Sequence, residues 1–315
     1  MDPRAASPRR RRYVATDTGG TDHGVIHWDG HRTWWERRGS GGVPLLLLPG
    51  GPGASSHYLT PLAERLSRER HVVRYDPLGT GHSTRERPAD GWTVELFLHE
   101  LDQVRQRLDL DTVDLLGHSW GGWLALEHLL RGARGVRGLV LYSSSASVPH
   151  TSRELRRLAA DLPEADRQAI AHAEQTSAFE GLDYQRAVQT FLHRHFCRLD
   201  PWPAELNRQG FGFDVYQTLW GPSEITCTGT LADWDVSDRL GDVRVPTLIV
   251  SGAHDELTAP LQDELRDGLP DARRVTFADS GHMSHLEEPD RFARTVAEFL
   301  ATLPTGPTGP TTPGP

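Results

Sequence analysis

Short apolar runs that end abruptly at glycine, proline or polar residues limit most strongly how this chain can fold. They are Val43–Leu48, His71–Tyr75, Val113–Leu116, Gly138–Tyr142, Pro246–Val250 and Arg274–Phe277. Runs of this length without regular polar alternation are typical of strands that are covered on both faces. Stretches with helical spacing lie between them, such as Pro61–Arg70 and Thr93–Leu108. The alternation predicts a parallel β-sheet with helices on both faces.

The alternation is interrupted between residues 143 and 238. Helical spacing continues there, as in Ser152–Ala160 and Pro163–Ala173, and the stretch then becomes rich in aromatic residues. A segment of this length without structure of its own would be unusual inside a compact domain. We therefore expect a helical cap at 143–238, inserted between two parts of a core at 21–142 and 239–303. Because open α/β sheets bind ligands beyond the carboxyl ends of their strands, such a cap would cover the site.

The two ends of the chain differ in composition from the rest. Residues 1–20 are rich in Arg, Pro and Gly and contain the basic cluster Arg9–Arg12, while residues 304–315 repeat Thr-Gly-Pro. We expect a disordered basic arm and a disordered tail. No apolar segment follows the basic cluster, and no run approaches the roughly 18–20 apolar residues of a membrane span. Neither a signal peptide nor a membrane partner is therefore expected.

Composition excludes several classes of function. The formal net charge is −9 and the pI is about 6.0, which argues against nucleic acid or an anionic membrane as the main partner. The chain contains no lysine, so mechanisms that need a Schiff-base or P-loop lysine are excluded. Two cysteines, Cys197 and Cys227, predict free thiols in a cytoplasmic protein rather than a disulfide framework. No metal-ligand motif is present, so we expect neither a metal nor another cofactor.

One serine lies in a short motif that is typical of a nucleophile at a strand-to-helix turn. The apolar run Val113–Leu116 leads into Gly117-His118-Ser119-Trp120-Gly121-Gly122, and the helical run Trp123–Leu130 follows. A G-x-S-x-G motif between a strand and a helix forms a strained turn that exposes the serine hydroxyl, as in α/β-hydrolases. Its glycines are needed because side chains there would collide with the neighbouring strand and helix. We predict that Ser119 is the nucleophile. His118 is interpreted as a packing residue, because a sequence neighbour cannot easily turn back onto the hydroxyl.

A serine nucleophile of this kind needs an acid after a late strand and a histidine after the last strand. Asp255 follows the apolar run that ends at Val250, and His282 follows the run that ends at Phe277. We predict that Asp255 orients His282 and that His282 deprotonates the serine. The alternatives are His285 or His254 as the base, and Glu256 as the acid.

A tetrahedral intermediate also needs two preorganised N–H donors. We expect one from the backbone of Trp120, directly after the nucleophile. The other is expected from Gly51, in the glycine-rich loop Gly50–Gly53 that follows the first apolar run. The alternative is an ordinary tight turn, which Gly-Pro sequences also favour.

At these residues the chain resembles the proline iminopeptidase family. The resemblance is carried by the Gly50–Gly53 loop, the segment Tyr75-Asp76-Pro77-Leu78-Gly79-Thr80-Gly81-His82-Ser83 and the Gly117–Gly122 motif. The segments 215–224 and 228–235 make it most similar to the tricorn-interacting aminopeptidases and L-amino-acid amidases. The resemblance spans residues 24–302. It implies an α/β-hydrolase fold, with a mostly parallel eight-stranded sheet, helices on both faces and an inserted helical cap.

The resemblance also implies how a substrate would be recognised. Glu224 and Glu256 would bind the free α-amino group, and Tyr216 would line the apolar side-chain pocket. An ammonium relieves the repulsion between two carboxylates that face one pocket. Pro49 stands where the family loop usually has histidine, which leaves a backbone donor possible but changes the loop.

The function expected from these observations is a serine aminopeptidase or amidase. It would release an N-terminal proline or other apolar residue from short peptides or amino-acid amides through an acyl-enzyme. One alternative keeps the catalytic residues but hydrolyses an ester or lactone of a secondary metabolite. Another is a hydrolase-fold binding protein with little turnover.

Overall fold

The computed structural model describes residues 20–207 and 209–304. The predictions of a disordered arm and tail, including the Arg9–Arg12 cluster, lie outside the described residues at 1–19 and 305–315. Within the described part of the chain, no helix is long and apolar enough to cross a bilayer.

The described residues contain one eight-stranded sheet with the strand order β1-β2-β4-β3-β5-β6-β7-β8. The strands are β1 (Thr21–Trp28), β2 (His31–Arg38), β3 (Leu45–Leu48), β4 (Val72–Tyr75), β5 (Val113–His118), β6 (Val136–Tyr142), β7 (Thr247–Gly252) and β8 (Ala272–Phe277). Strand β2 pairs antiparallel with β1 and β4, and all other neighbours pair parallel. The predicted fold class, a mostly parallel sheet of the α/β-hydrolase type, is confirmed.

Strands β1 and β2 were not among the apolar runs of the sequence. They form an edge hairpin whose turn is Asp29-Gly30, with φ values of 43° and 83°, between the paired residues Trp28 and His31. Several of their side chains reach solvent, so histidine, arginine and tryptophan replace a continuous apolar run. The Asp-Gly pair is a two-residue hairpin signal and could have revealed these strands.

Ten α-helices occur within the described residues, and the predicted helical stretches are confirmed. They are α1 (Thr60–Leu66), α2 (Val94–Arg107), α3 (Trp120–Leu130), α4 (Val148–Ala160), α5 (Glu164–Thr176), α6 (Leu182–His195), α7 (Phe213–Leu219), α8 (Ala259–Gly268), α9 (Ser284–Glu287) and α10 (Pro289–Thr302). Helices α4 to α7 lie between β6 and β7, within the interval 143–238 that was expected to form the cap. We call residues 148–219 the helical insertion.

The sheet is buried on both faces, which explains its apolar strands. In β3, Leu46 and Leu48 belong to the apolar cluster on one face, and Leu45 and Leu47 belong to the cluster on the other. All four side chains are fully buried. Successive side chains of a strand point to opposite faces, so a run of four leucines satisfies two cores at once.

A buried ion pair stands at the end of the sheet opposite the nucleophile. Asp114, in β5, accepts hydrogen bonds from Nε (2.9 Å) and Nη2 (2.5 Å) of Arg137, and Nη1 of Arg70 lies 3.4 Å away. The Asp114 side chain is fully buried. Removing one partner of such a pair leaves the other charge buried without compensation.

We therefore expect Asp114→Ala to lower the free energy of unfolding by about 3–5 kcal/mol. Urea denaturation followed by circular dichroism measures the change. Asp267→Ala, which removes a fully exposed partner of Arg266, is the control and should leave the midpoint unchanged. Equal midpoints for the two variants would contradict the assignment.

Candidate active site

Ser119 lies in a strained turn where β5 ends and α3 begins. Its backbone has φ 52° and ψ −121°, a region that residues with a side chain rarely adopt. A Cβ atom on Gly117 would come within 3.0 Å of the Gly121 backbone, and one on Gly121 within 3.0 Å of the Leu48 carbonyl group. The two glycines are thus required by close backbone approach, as the sequence predicted.

The structure brings Asp255 and His282 together from two separate loops. The first loop follows β7 and the second follows β8. His282 Nδ1 lies 2.8 Å from Asp255 Oδ1, which also accepts a hydrogen bond of 2.9 Å from the Leu257 N–H. Both side chains are buried, and His282 lines the same cavity as Ser119. Among the described hydrogen bonds none joins the serine hydroxyl to the imidazole, a contact that often forms only with substrate bound.

The residues considered as alternatives for the acid and the base are less well placed than Asp255 and His282. Glu256 Oε1 lies 3.6 Å from His282 Nδ1, beyond hydrogen-bond distance. His254 is exposed. His285 is buried and pairs with Tyr142 and with the Tyr58 carbonyl oxygen. The geometry therefore favours Asp255 as the acid and His282 as the base.

Gly51 and Trp120 both lie beside the nucleophile. Trp120 is the first residue of α3, so its N–H has no acceptor within the helix. The helix dipole places partial positive charge at this point. Gly51 has φ +113° and lines a narrow pocket together with Ser119. The two backbones border the position where an oxyanion would develop.

Two carboxylates face this narrow pocket without a cation. Glu256 is fully buried, and no N–H or hydroxyl group of the described residues donates a hydrogen bond to its oxygens. Burial raises its pKa well above the usual range, and the charges of Glu224 and Asp255 and a hydrogen bond with the Glu224 carboxyl group raise it further. Glu224 Oε2 accepts a 2.9 Å hydrogen bond from the Tyr216 hydroxyl. A buried carboxylate without such a donor calls for a ligand that can donate hydrogen bonds.

The loop that carries Glu224 is fixed by the helical insertion. The Trp220 indole N–H donates a 2.8 Å hydrogen bond to the Ser223 carbonyl oxygen. The Tyr184 hydroxyl, from α6, lies 2.5 Å from the Ser223 hydroxyl and 3.1 Å from that of Thr226. The position of this acid therefore depends on the insertion rather than on the sheet.

The cavity on the other side of Ser119 is much larger. It measures about 180 Å³, whereas the narrow pocket measures about 10 Å³. Gly51, Ser119 and Glu224 border both spaces. His282 and Tyr216 border only the large cavity, and Glu256 borders only the narrow pocket. Tyr216 thus faces the large cavity, while its hydroxyl orients Glu224.

Known proteins resemble this chain over most of its length. A family model described as the α/β hydrolase fold matches residues 43–289. The proline iminopeptidase of Lactobacillus delbrueckii subsp. bulgaricus is 39% identical over 266 residues, which are 82% of this chain and 90% of that protein. The chain belongs to the proline iminopeptidase family. The resemblance recognised from its motifs is confirmed, and so is its class as a serine peptidase of the α/β-hydrolase fold.

Two solved structures align with about nine-tenths of this chain. The proline iminopeptidase of Mycobacterium smegmatis does so with a TM-score of 0.82 at 34% identity, covering 89% of this chain and 98% of that one. The crystal structure of VinJ gives a TM-score of 0.86 at 36% identity, covering 90% of this chain and all of that one.

In this member of the proline iminopeptidase family, His118 does more than pack. Its Nδ1 lies 2.7 Å from the Tyr58 hydroxyl, and its Nε2 lies 3.2 Å from the His282 carbonyl oxygen. The same Tyr58 oxygen accepts a 2.7 Å hydrogen bond from the Gly50 N–H. A continuous chain of hydrogen bonds therefore links the glycine loop to the backbone of the catalytic histidine.

The protons of this network can be assigned. Burial lowers the pKa of His118 well below its usual range and that of His285 to about 4, so both rings are neutral. A carbonyl oxygen only accepts, so His118 donates from Nε2 to His282 and accepts at Nδ1 from Tyr58. His285 donates from Nε2 to the Tyr58 carbonyl oxygen (2.9 Å), and its Nδ1 lies 2.9 Å from the Tyr142 hydroxyl. That hydroxyl carries a single proton, and the His282 carbonyl oxygen, which can only accept, also lies 2.9 Å from it. Sequence reasoning missed Tyr58 because nothing in the glycine loop points to a tyrosine eight positions further on.

We expect Tyr58→Phe to lower kcat about tenfold with little change in KM. The variant leaves the buried Gly50 N–H without an acceptor, at a cost of about 1–3 kcal/mol, and frees the loop that precedes Gly51. Steady-state kinetics on an aminoacyl anilide measure the effect. Tyr75→Phe, a change at a buried tyrosine of β4 outside this network, is the control and should retain most of kcat. An unchanged kcat in folded Tyr58→Phe would refute the positioning role.

Proposed function

We propose that the protein is a serine aminopeptidase or amidase that releases an N-terminal residue by way of an acyl-enzyme. The observation that carries this proposal is the pair of acids, Glu224 and Glu256, lying against the nucleophile Ser119 with no cation between them. Family membership supports it, since relatives at 32–39% identity are named proline iminopeptidases.

In the first half-reaction, Ser119 Oγ attacks the carbonyl carbon of the substrate and His282 Nε2 accepts the hydroxyl proton. Asp255 holds the imidazole at Nδ1 and stabilises its positive charge. The N–H groups of Gly51 and Trp120 stabilise the oxyanion. The intermediate collapses as the C–N bond breaks and His282 gives its proton to the leaving nitrogen.

In the second half-reaction, water attacks the acyl-enzyme while His282 accepts one of its protons. The bond from the acyl carbon to Ser119 Oγ then breaks, and the proton returns to the serine. The products are a free amino acid and an amine, and the enzyme is restored. No step calls for a metal or another cofactor.

Recognition of the substrate amine follows from the two acids. An ammonium group between them gives charge-assisted hydrogen bonds to carboxylate oxygens, of which those of Glu256 otherwise lack an N–H or hydroxyl donor among the described residues. The Tyr216 hydroxyl holds Glu224 in place for this contact. Selection for an unblocked N-terminus results, because an internal peptide bond offers no charged amine.

The narrow pocket also sets the size of the released residue. Its walls are Trp123, Thr151, Leu155, Trp220 and Leu257. Its volume of about 10 Å³ corresponds to roughly one water molecule. Compact side chains such as proline or alanine fit this space better than phenylalanine does.

We propose further that residues 143–238 act as a cap domain. Its contribution of Glu224, Tyr216 and the cavity wall supports this division of the chain. A cytoplasmic site of action is proposed as well. It is supported by Cys197 and Cys227, which both remain free thiols, as is usual in a reducing compartment.

The decisive experiment compares aminoacyl anilides of proline, alanine, leucine and phenylalanine with and without N-acetylation. Acetylation should abolish cleavage, and the prolyl and alanyl compounds should react fastest. Glu224→Gln and Glu256→Gln should each lower kcat/KM at least about 30-fold, which corresponds to about 2 kcal/mol. The surface variant Glu95→Gln is the matched control and should retain full activity.

Two results would overturn this proposal. Undiminished turnover in both glutamine variants would remove the amine site. Rapid hydrolysis of simple acyl esters together with inert anilides would favour the esterase or lactonase alternative.

The pH dependence should report on Glu256. In the free enzyme burial and the neighbouring carboxylates raise the pKa of Glu256, whereas a bound ammonium favours the charged carboxylate, so binding of the ammonium is coupled to release of a proton. Binding therefore strengthens as pH rises towards the pKa of the substrate ammonium, about 8, and weakens as pH falls. The kcat/KM of alanyl anilide, divided by that of p-nitrophenyl acetate to cancel the shared imidazole, should rise from pH 5 to about 8. This ratio should be flat in Glu256→Gln, and a flat ratio in the wild type would contradict the assignment.

A further inference from the structure

The two spaces beside Ser119 can be assigned to the two parts of a substrate. His282 gives its proton to the leaving nitrogen, so the leaving group lies on the side of the large cavity that His282 borders. The buried acid Glu256 borders only the narrow pocket, so the aminoacyl part lies on that side. This assignment rests on the proposed function.

The space for the leaving group far exceeds the space for the aminoacyl group. Its volume of about 180 Å³ corresponds to about ten or more water molecules, against about one in the narrow pocket. A single small amino acid leaves most of it empty. The site is therefore built for a leaving group much larger than the residue that is released.

The inner wall of the large cavity is apolar. It is formed by Val188, Leu192, Phe196, Trp202, Leu206 and Met283. Phe196 stacks on the His282 ring with centroids 5.5 Å apart, so the apolar wall begins directly beside the proton donor. Apolar surface of this kind stabilises bound hydrocarbon by about 0.8 kcal/mol for each buried methylene group.

The rim of the cavity is polar but offers little positive charge. The exposed side chains Gln185, Gln189, Asn207 and Gln209 are uncharged, the exposed His57 adds an imidazole, and Glu205 adds a carboxylate. No arginine occurs among the described lining residues, and the chain has no lysine. Arg208 lies outside the described residues, so its replacement forms one arm of the test. Among the described lining residues, the C-terminal carboxylate of a short free peptide would meet the Glu205 carboxylate and no arginine.

We propose that the substrates are aminoacyl amides of a large, uncharged and mainly apolar amine, rather than short free peptides. The released residue is small, and the binding energy comes from the apolar part of the leaving group. The chemistry is the same C–N hydrolysis, with the His282 proton passing to the nitrogen of that amine.

Matched substrates with one aminoacyl group test this proposal at pH 7.5. Alanyl-leucine carries a carboxylate, alanyl-leucine amide is uncharged, and alanyl n-alkylamides from propyl to octyl extend the apolar part. The kcat/KM of the dipeptide amide should exceed that of the free dipeptide at least tenfold. Along the alkyl series kcat/KM should rise up to about fourfold per methylene group, the equivalent of about 0.8 kcal/mol, until the cavity is filled.

Two variants make the test specific. Glu205→Arg reverses the charge at the rim and should shrink the preference for the dipeptide amide several-fold. Arg208→Ala should leave that preference as it is in the wild type. Titration of Ser119 with a fluorophosphonate corrects each rate for the fraction of active enzyme.

Several results would overturn the inference. They are a free dipeptide cleaved as fast as its amide, an alkyl series with constant kcat/KM, or dipeptide cleavage that is lost selectively in Arg208→Ala. In each case all substrates would still require a free α-amino group, so the proposed function would stand. If none of the unblocked alanyl substrates were cleaved while acyl esters were, the proposed function itself would fail.

Discussion

The close packing of backbone between the end of β3 and the start of α3 is the constraint on which the rest of the site depends. Gly117 and Gly121 let the helix approach the sheet without Cβ atoms in between, and this approach forces Ser119 into its positive φ. Ser119 then lines both spaces beside the first N–H of α3, so one turn positions the proposed nucleophile and a proposed oxyanion donor. Larger residues at either glycine would separate strand from helix and move both groups together. Geometry, not the chemistry of the serine alone, makes this position reactive.

The helical insertion belongs to the catalytic machinery as much as the sheet does. At the end of α6, the carbonyl oxygens of His195 and Phe196 accept hydrogen bonds of 2.9 and 3.0 Å from the N–H groups of His282 and Met283. The backbone of His282 is therefore hydrogen-bonded both to the insertion and to His118. An insertion that moved away as a rigid lid would break these bonds and displace the base. The geometry supports access through the rim of the cavity while the insertion stays in place.

The sequence predicted most of the fold, because the relevant signals are local. A buried parallel strand must be apolar on both faces, so runs such as Leu45–Leu48 are visible without any tertiary knowledge. The edge strands β1 and β2 were not predicted. Several of their side chains reach solvent, so polar and apolar residues alternate irregularly and no continuous apolar run marks them. Ser119, Asp255 and His282 could be proposed because each follows a strand in a fixed order. The hydrogen-bond partners of His118 could not be predicted. Tyr58 lies 60 positions and His282 lies 164 positions away in the sequence, and only the tertiary fold brings them to His118.

For Glu224 and Glu256, the family resemblance and the structure contribute different kinds of evidence. In the sequence they are two acids among many, and only the family resemblance singled them out. The structure adds a reason, since burial without an N–H or hydroxyl donor among the described residues makes Glu256 the one group in the narrow pocket whose charged form is strongly disfavoured until a cation arrives. The large cavity that Ser119 also borders has the opposite preference for charge. There, a rim that carries Glu205 disfavours an anionic leaving group, and the apolar walls favour an uncharged one. The proposed substrate therefore carries charge at its amino end and none in its leaving group.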